Sequence, residues 1–165
     1  MKTLICIRHA KSSWDNASLR DIDRPLNKRG LRDAPRMAQF LKDKGIVPDM
    51  IVTSPAKRAF STATFFKEMW NLDKEDMEID ENIYEATESD IWEIVRQLPD
   101  EANTALLFGH NPTFTYFANH FSEDIISNVP TCGICQIEST TRKWSKLDTD
   151  NSELVAFYYP KMLSD

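Results

Sequence analysis

Leu4-Ile5-Cys6-Ile7-Arg8-His9-Ala10-Lys11-Ser12-Ser13 is the stretch whose reading decides the fold. Four consecutive apolar residues after a short polar start predict a parallel strand buried on both faces. The polar residues that follow then lie at the strand's carboxyl end, where open α/β sheets bind ligands. An arginine beside an imidazole there can hold an anion, because a guanidinium forks onto phosphate or carboxylate while histidine attacks or shuttles protons near neutral pH. A solvated loop carries the same dipeptide equally well, and the company the pair keeps at that sheet edge decides between the two.

At 165 residues and 19.1 kDa the chain has the size of one ordinary domain, residues 1–165, long enough to bury a core without staples. An apolar fraction of 41%, a charged fraction of 28% and only four glycines exclude disordered and fibrous classes. The net charge of −6, with no basic run, argues against nucleic acid as a partner. A single phosphoryl group can still bind a local cationic pocket. Met1-Lys2-Thr3 leads directly into the first strand, and no window approaches the roughly 18 apolar residues of a membrane span. A cytoplasmic location without a membrane partner is therefore expected. Three cysteines, an odd number, do not make a disulfide framework, and Cys6 reads as a small buried hydrophobe.

After a polar stretch over 14–24, Asn27 is placed to cap a helix over 28–44 whose buried stripe would be Leu31, Ala34, Met37, Ala38 and Leu41. Pro35 would kink it and Gly45 would stop it. A strand over 48–54 leads into a second helix over 55–70, with Ala59, Ala63, Phe66 and Met69 inward. An acidic loop over 72–81 ends in a short strand at 77–79, and Thr87-Glu88-Ser89-Asp90 opens a third helix over 90–98. A buried strand over 104–108, a helix over 112–121 and strands over 132–139 and 154–159 complete the chain. Strands alternating with amphipathic helices predict an α/β fold, a three-layer α/β/α sandwich with a mainly parallel central sheet.

Three segments place cations or histidines at strand ends: Arg8-His9, Thr53-Ser54-Pro55-Ala56-Lys57-Arg58, and Phe108-Gly109-His110-Asn111-Pro112-Thr113. In a parallel sheet those ends face one edge, so residues a hundred apart in sequence converge on one crevice. Arg58, near the positive end of the second helix, also favours an anion.

With Arg24-Pro25-Leu26-Asn27-Lys28-Arg29-Gly30 between the first two, these segments in this order resemble the histidine phosphatase superfamily, the phosphoglycerate-mutase-like group. The chain is similar in particular to the short bacterial phosphohistidine phosphatases. The resemblance implies a phosphoglycerate-mutase-like fold, with His9 as the nucleophile that takes the phosphoryl group and Arg8, Arg58 and His110 holding its oxygens. The chemistry is sound on its own terms: a neutral imidazole can attack phosphorus in line, and fixed donors meet the charge of a metaphosphate-like transition state. Two guanidiniums and a second imidazole would do what metal ions do elsewhere, so neither metal nor cofactor is expected. Ala10 replaces the glycine of the family's hallmark, and Asp15, where mutases tend to carry asparagine, weakens a mutase reading.

Ile83-Tyr84-Glu85 is the local match to the family's proton donor, making Glu85 the candidate general acid, with Glu81, Glu88 and Asp90 as competitors. Ser12 and Ser13 can donate to phosphate or cap the turn, and Lys11 and Lys57 can raise the potential at the rim. Trp14 either walls the crevice or is buried beside the loop. Thr62 and the aromatic set Phe114, Tyr116, Phe117 and Phe121 read as packing, and His120 as a surface or satisfied core histidine. Cys132-Gly133-Ile134-Cys135 lacks the second pair that a zinc site needs and reads as core. The expected substrate is phosphohistidine in a protein, because so short a chain leaves its crevice open. The rivals are a phosphatase of a small phosphorylated metabolite, a binding or scaffold domain without catalysis, and a zinc hydrolase on His9, His110 and His120.

Overall fold

The computed structural model describes residues 1–163. Six strands, β1 (Lys2–Arg8), β2 (Met50–Thr53), β3 (Met77–Ile79), β4 (Thr104–Gly109), β5 (Ile134–Ser139) and β6 (Ser152–Tyr158), form one sheet in the order β3-β2-β4-β1-β5-β6. Pairings among β1 to β4 are parallel, and β5 runs antiparallel to both β1 and β6. The apolar run of β1 is buried on both faces as its composition demands. Leu4 and Cys6 join one core with α3 (Glu88–Arg96) and α4 (Thr113–Asn119); Ile5 and Ile7 join the other with α1 (Lys28–Asp43) and α2 (Lys57–Met69). The α/β/α layering and the mainly parallel sheet are thus as expected.

Asn27 caps α1 by accepting from Gly30 N–H at 2.9 Å, and Gly45, at φ 86°, takes the left-handed position that ends it. The buried stripe is rotated from the expected one. Leu31 is 51% exposed, and Gly30 and Asp33 lie buried beside Ala34, Met37, Ala38 and Leu41. The cause is close packing: a Cβ on Gly30 would come within 2.2 Å of the Lys11 carbonyl oxygen, so the helix presents its glycine to the β1–α1 loop and turns Leu31 out. Pro35 lies within one uninterrupted helix.

The second helix starts at Lys57 because Ser54-Pro55-Ala56 forms the turn, with Ser54 Oγ accepting from Ala56 N–H at 3.1 Å. The third starts at Glu88, where Thr87 and Asp90 form a reciprocal capping box. The fourth is shorter than expected, and Tyr116 on it is 54% exposed rather than core. Cys132 and Gly133 belong to the turn before β5, and β6 begins two residues early, at Ser152. Cys6, Cys132 and Cys135 are buried free thiols, and burial pushes all three upward, Cys135 to about 12.

Candidate active site

The carboxyl ends of β1, β2 and β4 bring their polar residues together. His9 follows β1 and His110 follows β4, and their ring centroids are 5.3 Å apart. Arg58, in the first turn of α2, and Arg8, at the end of β1, complete the group. The backbone holds the histidine in place: His9 N–H donates to Gly109 O at 3.1 Å, and Cys132 N–H lies 3.0 Å from both Arg8 O and His9 O. Thr62 braces the next residue, accepting from Ala10 N–H at 3.0 Å while donating to Arg58 O at 2.7 Å.

His9 Nδ1 lies 2.7 Å from Ala10 O, and a carbonyl oxygen only accepts, so Nδ1 carries the proton and Nε2 keeps its lone pair. His9 is buried, which drives its pKa down to about 3 from 6.5; the Ala10 bond opposes this, while His110, Arg58 and Arg8 reinforce it. His110 is lowered to about 4, by burial first and then by Arg58. Arg8 is likewise lowered from its ordinary value by burial and by Arg58. Arg8 Nη1 donates to Val129 O at 2.9 Å, and His110 Nε2 lies 2.8 Å from Ser54 Oγ. Three buried nitrogens, Arg8 Nε, Arg58 Nε and His110 Nδ1, are without a hydrogen-bond partner among the described residues. Unpaired buried polar groups are costly, and here two guanidinium N–H groups and an imidazole nitrogen cluster beside a neutral imidazole, an arrangement suited to an oxyanion.

The other expected residues stand around these four or away from them. Glu85 is exposed, takes a left-handed backbone at φ 58°, and shares with His110 the lining of a cavity of about 160 Å³. Ser12 is buried, and its Oγ accepts from Arg24 Nη1 at 2.9 Å. Trp14 is not buried: it is 73% exposed and stacks on the Arg24 guanidinium at 3.5 Å. His120 is a surface histidine 2.5 Å from Glu88 Oε1. Among the described residues no group of three or more His, Cys, Asp or Glu is placed to hold a metal ion.

Two residues that the sequence did not single out reach the group. Asp21 accepts from Arg58 Nη2 at 3.0 Å, from Tyr84 OH at 2.6 Å and from Arg24 Nε at 3.1 Å. Those bonds, Tyr84 first, hold its carboxyl down to about 2. The Tyr84 ring meets His110 edge-on at 5.7 Å. Their only signal in the sequence is place: Asp21 stands three residues before Arg24-Pro25 and Tyr84 directly before Glu85.

The fold matches the provisionally named phosphohistidine phosphatase SixA of Agrobacterium tumefaciens with a TM-score of 0.81 and 25% identity, covering 96% of this chain and 98% of that one. An uncharacterized chloroplastic protein of Arabidopsis thaliana is 51% identical over 61 residues, 37% of this chain and 28% of that protein. The 2,3-bisphosphoglycerate-dependent phosphoglycerate mutase of Streptomyces avermitilis is 42% identical over 62 residues, 36% of this chain and 24% of the enzyme. The chain thus spans only about a quarter of the length of either curated protein. The family model described as histidine phosphatase superfamily (branch 1) matches residues 4–113, and the chain belongs to that superfamily.

Proposed function

We propose that the protein removes phosphate from phosphohistidine in a protein substrate, through a phosphorylated His9. The observation that carries this reading is the set of unpartnered donors Arg8 Nε, Arg58 Nε and His110 Nδ1 beside a histidine whose Nε2 is free to attack. In the first step His9 Nε2 forms a bond to phosphorus as the substrate's P–N bond breaks, and the substrate imidazole, protonated at its other nitrogen, leaves neutral. Water then attacks phosphorus, the His9 N–P bond breaks, and inorganic phosphate departs. The Nδ1–H bond to Ala10 O holds the ring's orientation and its positive charge while it carries the phosphoryl group. Arg8, Arg58 and His110 meet the charge on the equatorial oxygens, so the chain's own cations supply what a metal would otherwise do.

A protein substrate is supported by the exposed run 14–20 that follows the nucleophile's loop, which leaves the approach open to a partner's side chain. A bond of the same kind is broken and formed, so the leaving group needs little help. The odd number of cysteines agrees with a cytoplasmic site of action. No helix of the described residues is long and apolar enough to cross a membrane.

One observation favours a second reading, a phosphatase of a small phosphomonoester. Glu85 and His110 line one cavity, and an alcohol leaving group needs an acid there. The deciding experiment measures phosphate release from a histidine-phosphorylated protein and from an aryl phosphate, with wild type, His9→Ala and Glu85→Gln. Fast release from phosphohistidine, abolished in His9→Ala and nearly unchanged in Glu85→Gln, is expected. Release from the phosphomonoester alone, crippled by Glu85→Gln, would instead establish the small-metabolite reading. Release from neither would leave a domain that binds phosphate without catalysis.

A further inference from the structure

The loop between β1 and α1 contributes a carboxylate for which the transfer chemistry has no role. Asp21 opens the short 3₁₀ turn Asp21–Asp23, 37 residues before Arg58, and holds that arginine twice. Arg58 Nη1 donates to the Asp21 backbone oxygen at 2.8 Å and Nη2 donates to its Oδ2 at 3.0 Å. A guanidinium is planar and rigid, so fixing both terminal nitrogens fixes the direction of the Nε–H. That Nε is the buried nitrogen without a partner.

The carboxylate is itself fixed from two further sides. Tyr84 OH donates to Oδ2 at 2.6 Å and Arg24 Nε donates to Oδ1 at 3.1 Å. Arg24 in turn is buried, stacked on Trp14 and bonded to Ser12, so it anchors Asp21 to the chain segment that follows the nucleophile. The side chain of Asp21 is 49% exposed and that of Arg58 8%, which puts the carboxylate at the rim with the guanidinium beneath it. A negative charge at the mouth of an anion site repels the incoming phosphoryl group. What it offers in return is orientation, and orienting a donor before reaction is worth more than the same charge left loose.

We propose that Asp21, held by Tyr84 and Arg24, is a positioning residue that sets Arg58 so that its Nε–H meets a phosphoryl oxygen. The proposal rests on the phosphatase reading and adds the β1–α1 loop to its machinery. A double-mutant cycle between Asp21→Ala and Arg58→Ala tests it, read as kcat/KM for phosphate release and accompanied by a thermal melt of each variant.

With Arg58 present, Asp21→Ala lowers kcat/KM by about tenfold or more, the loss expected of a charge-assisted pair. In the Arg58→Ala background it costs less than about twofold, because a residue acting through Arg58 has nothing left to act on. Asp21→Asn, which keeps the shape and one acceptor oxygen, recovers part of the rate. Equal losses in both backgrounds, or full activity in Asp21→Ala, overturn the proposal. Should Arg58→Ala fail to fold, Arg58→Lys replaces it in the cycle. If the wild type releases no phosphate, the phosphatase reading fails by itself, and the same cycle is read as the dissociation constant of inorganic phosphate. Weakening by Asp21→Ala only where Arg58 is present then supports positioning, and equal weakening in both backgrounds refutes it.

Discussion

Ser54 shows how much one hydroxyl can decide. It is fully buried at the end of β2; its Oγ accepts from Ala56 N–H at 3.1 Å and lies 2.8 Å from His110 Nε2. When that hydroxyl donates to Nε2, the proton of neutral His110 must sit on Nδ1, the nitrogen without a partner, and this is the tautomer that can donate to an anion. Ser54→Ala releases the ring to either tautomer. It is expected to lower kcat on an aryl phosphate by about tenfold while shifting the melting temperature by only a few degrees; an unchanged kcat would remove the role. Ser54 was visible in the sequence as part of Thr53-Ser54-Pro55, but nothing local marks which histidine it faces. Arg8, His9, Arg58 and His110 were legible because each closes a strand or opens a helix. Asp21 and Tyr84 were not: their bonds span 37 and 63 residues, and an aspartate in a polar loop looks solvated until its partners are known.

The strand ends were readable because apolar runs such as Ile5-Cys6-Ile7 and Leu106-Leu107-Phe108 stop where the polar residues begin, and the parallel pairing of β1, β2 and β4 aligns those stops. The facing of α1 was not. Periodicity allowed Leu31 in the stripe, whereas a close approach of Gly30 to the Lys11 carbonyl chose a stripe through Asp33 instead. Packing against a backbone oxygen thus outweighed burial of one leucine, which a hydrophobic pattern alone does not reveal. The two adjacent positions should respond very unequally to equally modest changes. Gly30→Ala pushes a methyl into the Lys11 carbonyl and is expected to cost about 2 to 3 kcal/mol in denaturant unfolding. Leu31→Ala removes a half-exposed side chain and should cost no more than about 0.5 kcal/mol. Because Lys11 lies two residues beyond His9, Gly30→Ala should also slow phosphate release in the fraction that remains folded. A Gly30→Ala protein as stable as wild type would show that α1 can withdraw from the loop freely.

At the scale of the whole molecule, the sheet assembles a buried cationic site in a chain whose net charge is −6, and folding bears the cost. His9 and His110 are neutral in the folded protein, lowered to about 3 and about 4, whereas both regain the ordinary value of 6.5 on unfolding. Between those values the unfolded chain binds protons that the native one does not, so stability is fully present above pH 6.5 and is lost as pH falls below it. The slope is at most about 1.4 kcal/mol per histidine for each pH unit. Asp21, lowered to about 2 from 3.8, acts in the same direction but only from near 3.8 downward, which leaves the interval between 6.5 and 4 to the histidines. Thermal melts in phosphate-free buffer should therefore decline through that interval in the wild type. They should decline less in His9→Gln combined with His110→Gln, where neither side chain can titrate. Added inorganic phosphate should raise the wild-type melting temperature, since it binds only the folded state, and should do little for the double variant, which has lost two of its contacts. A wild-type curve flat from pH 6.5 to 4 would mean that the two histidines titrate in the fold as they do in the unfolded chain, and burial would then not be what keeps His9 neutral with its lone pair free.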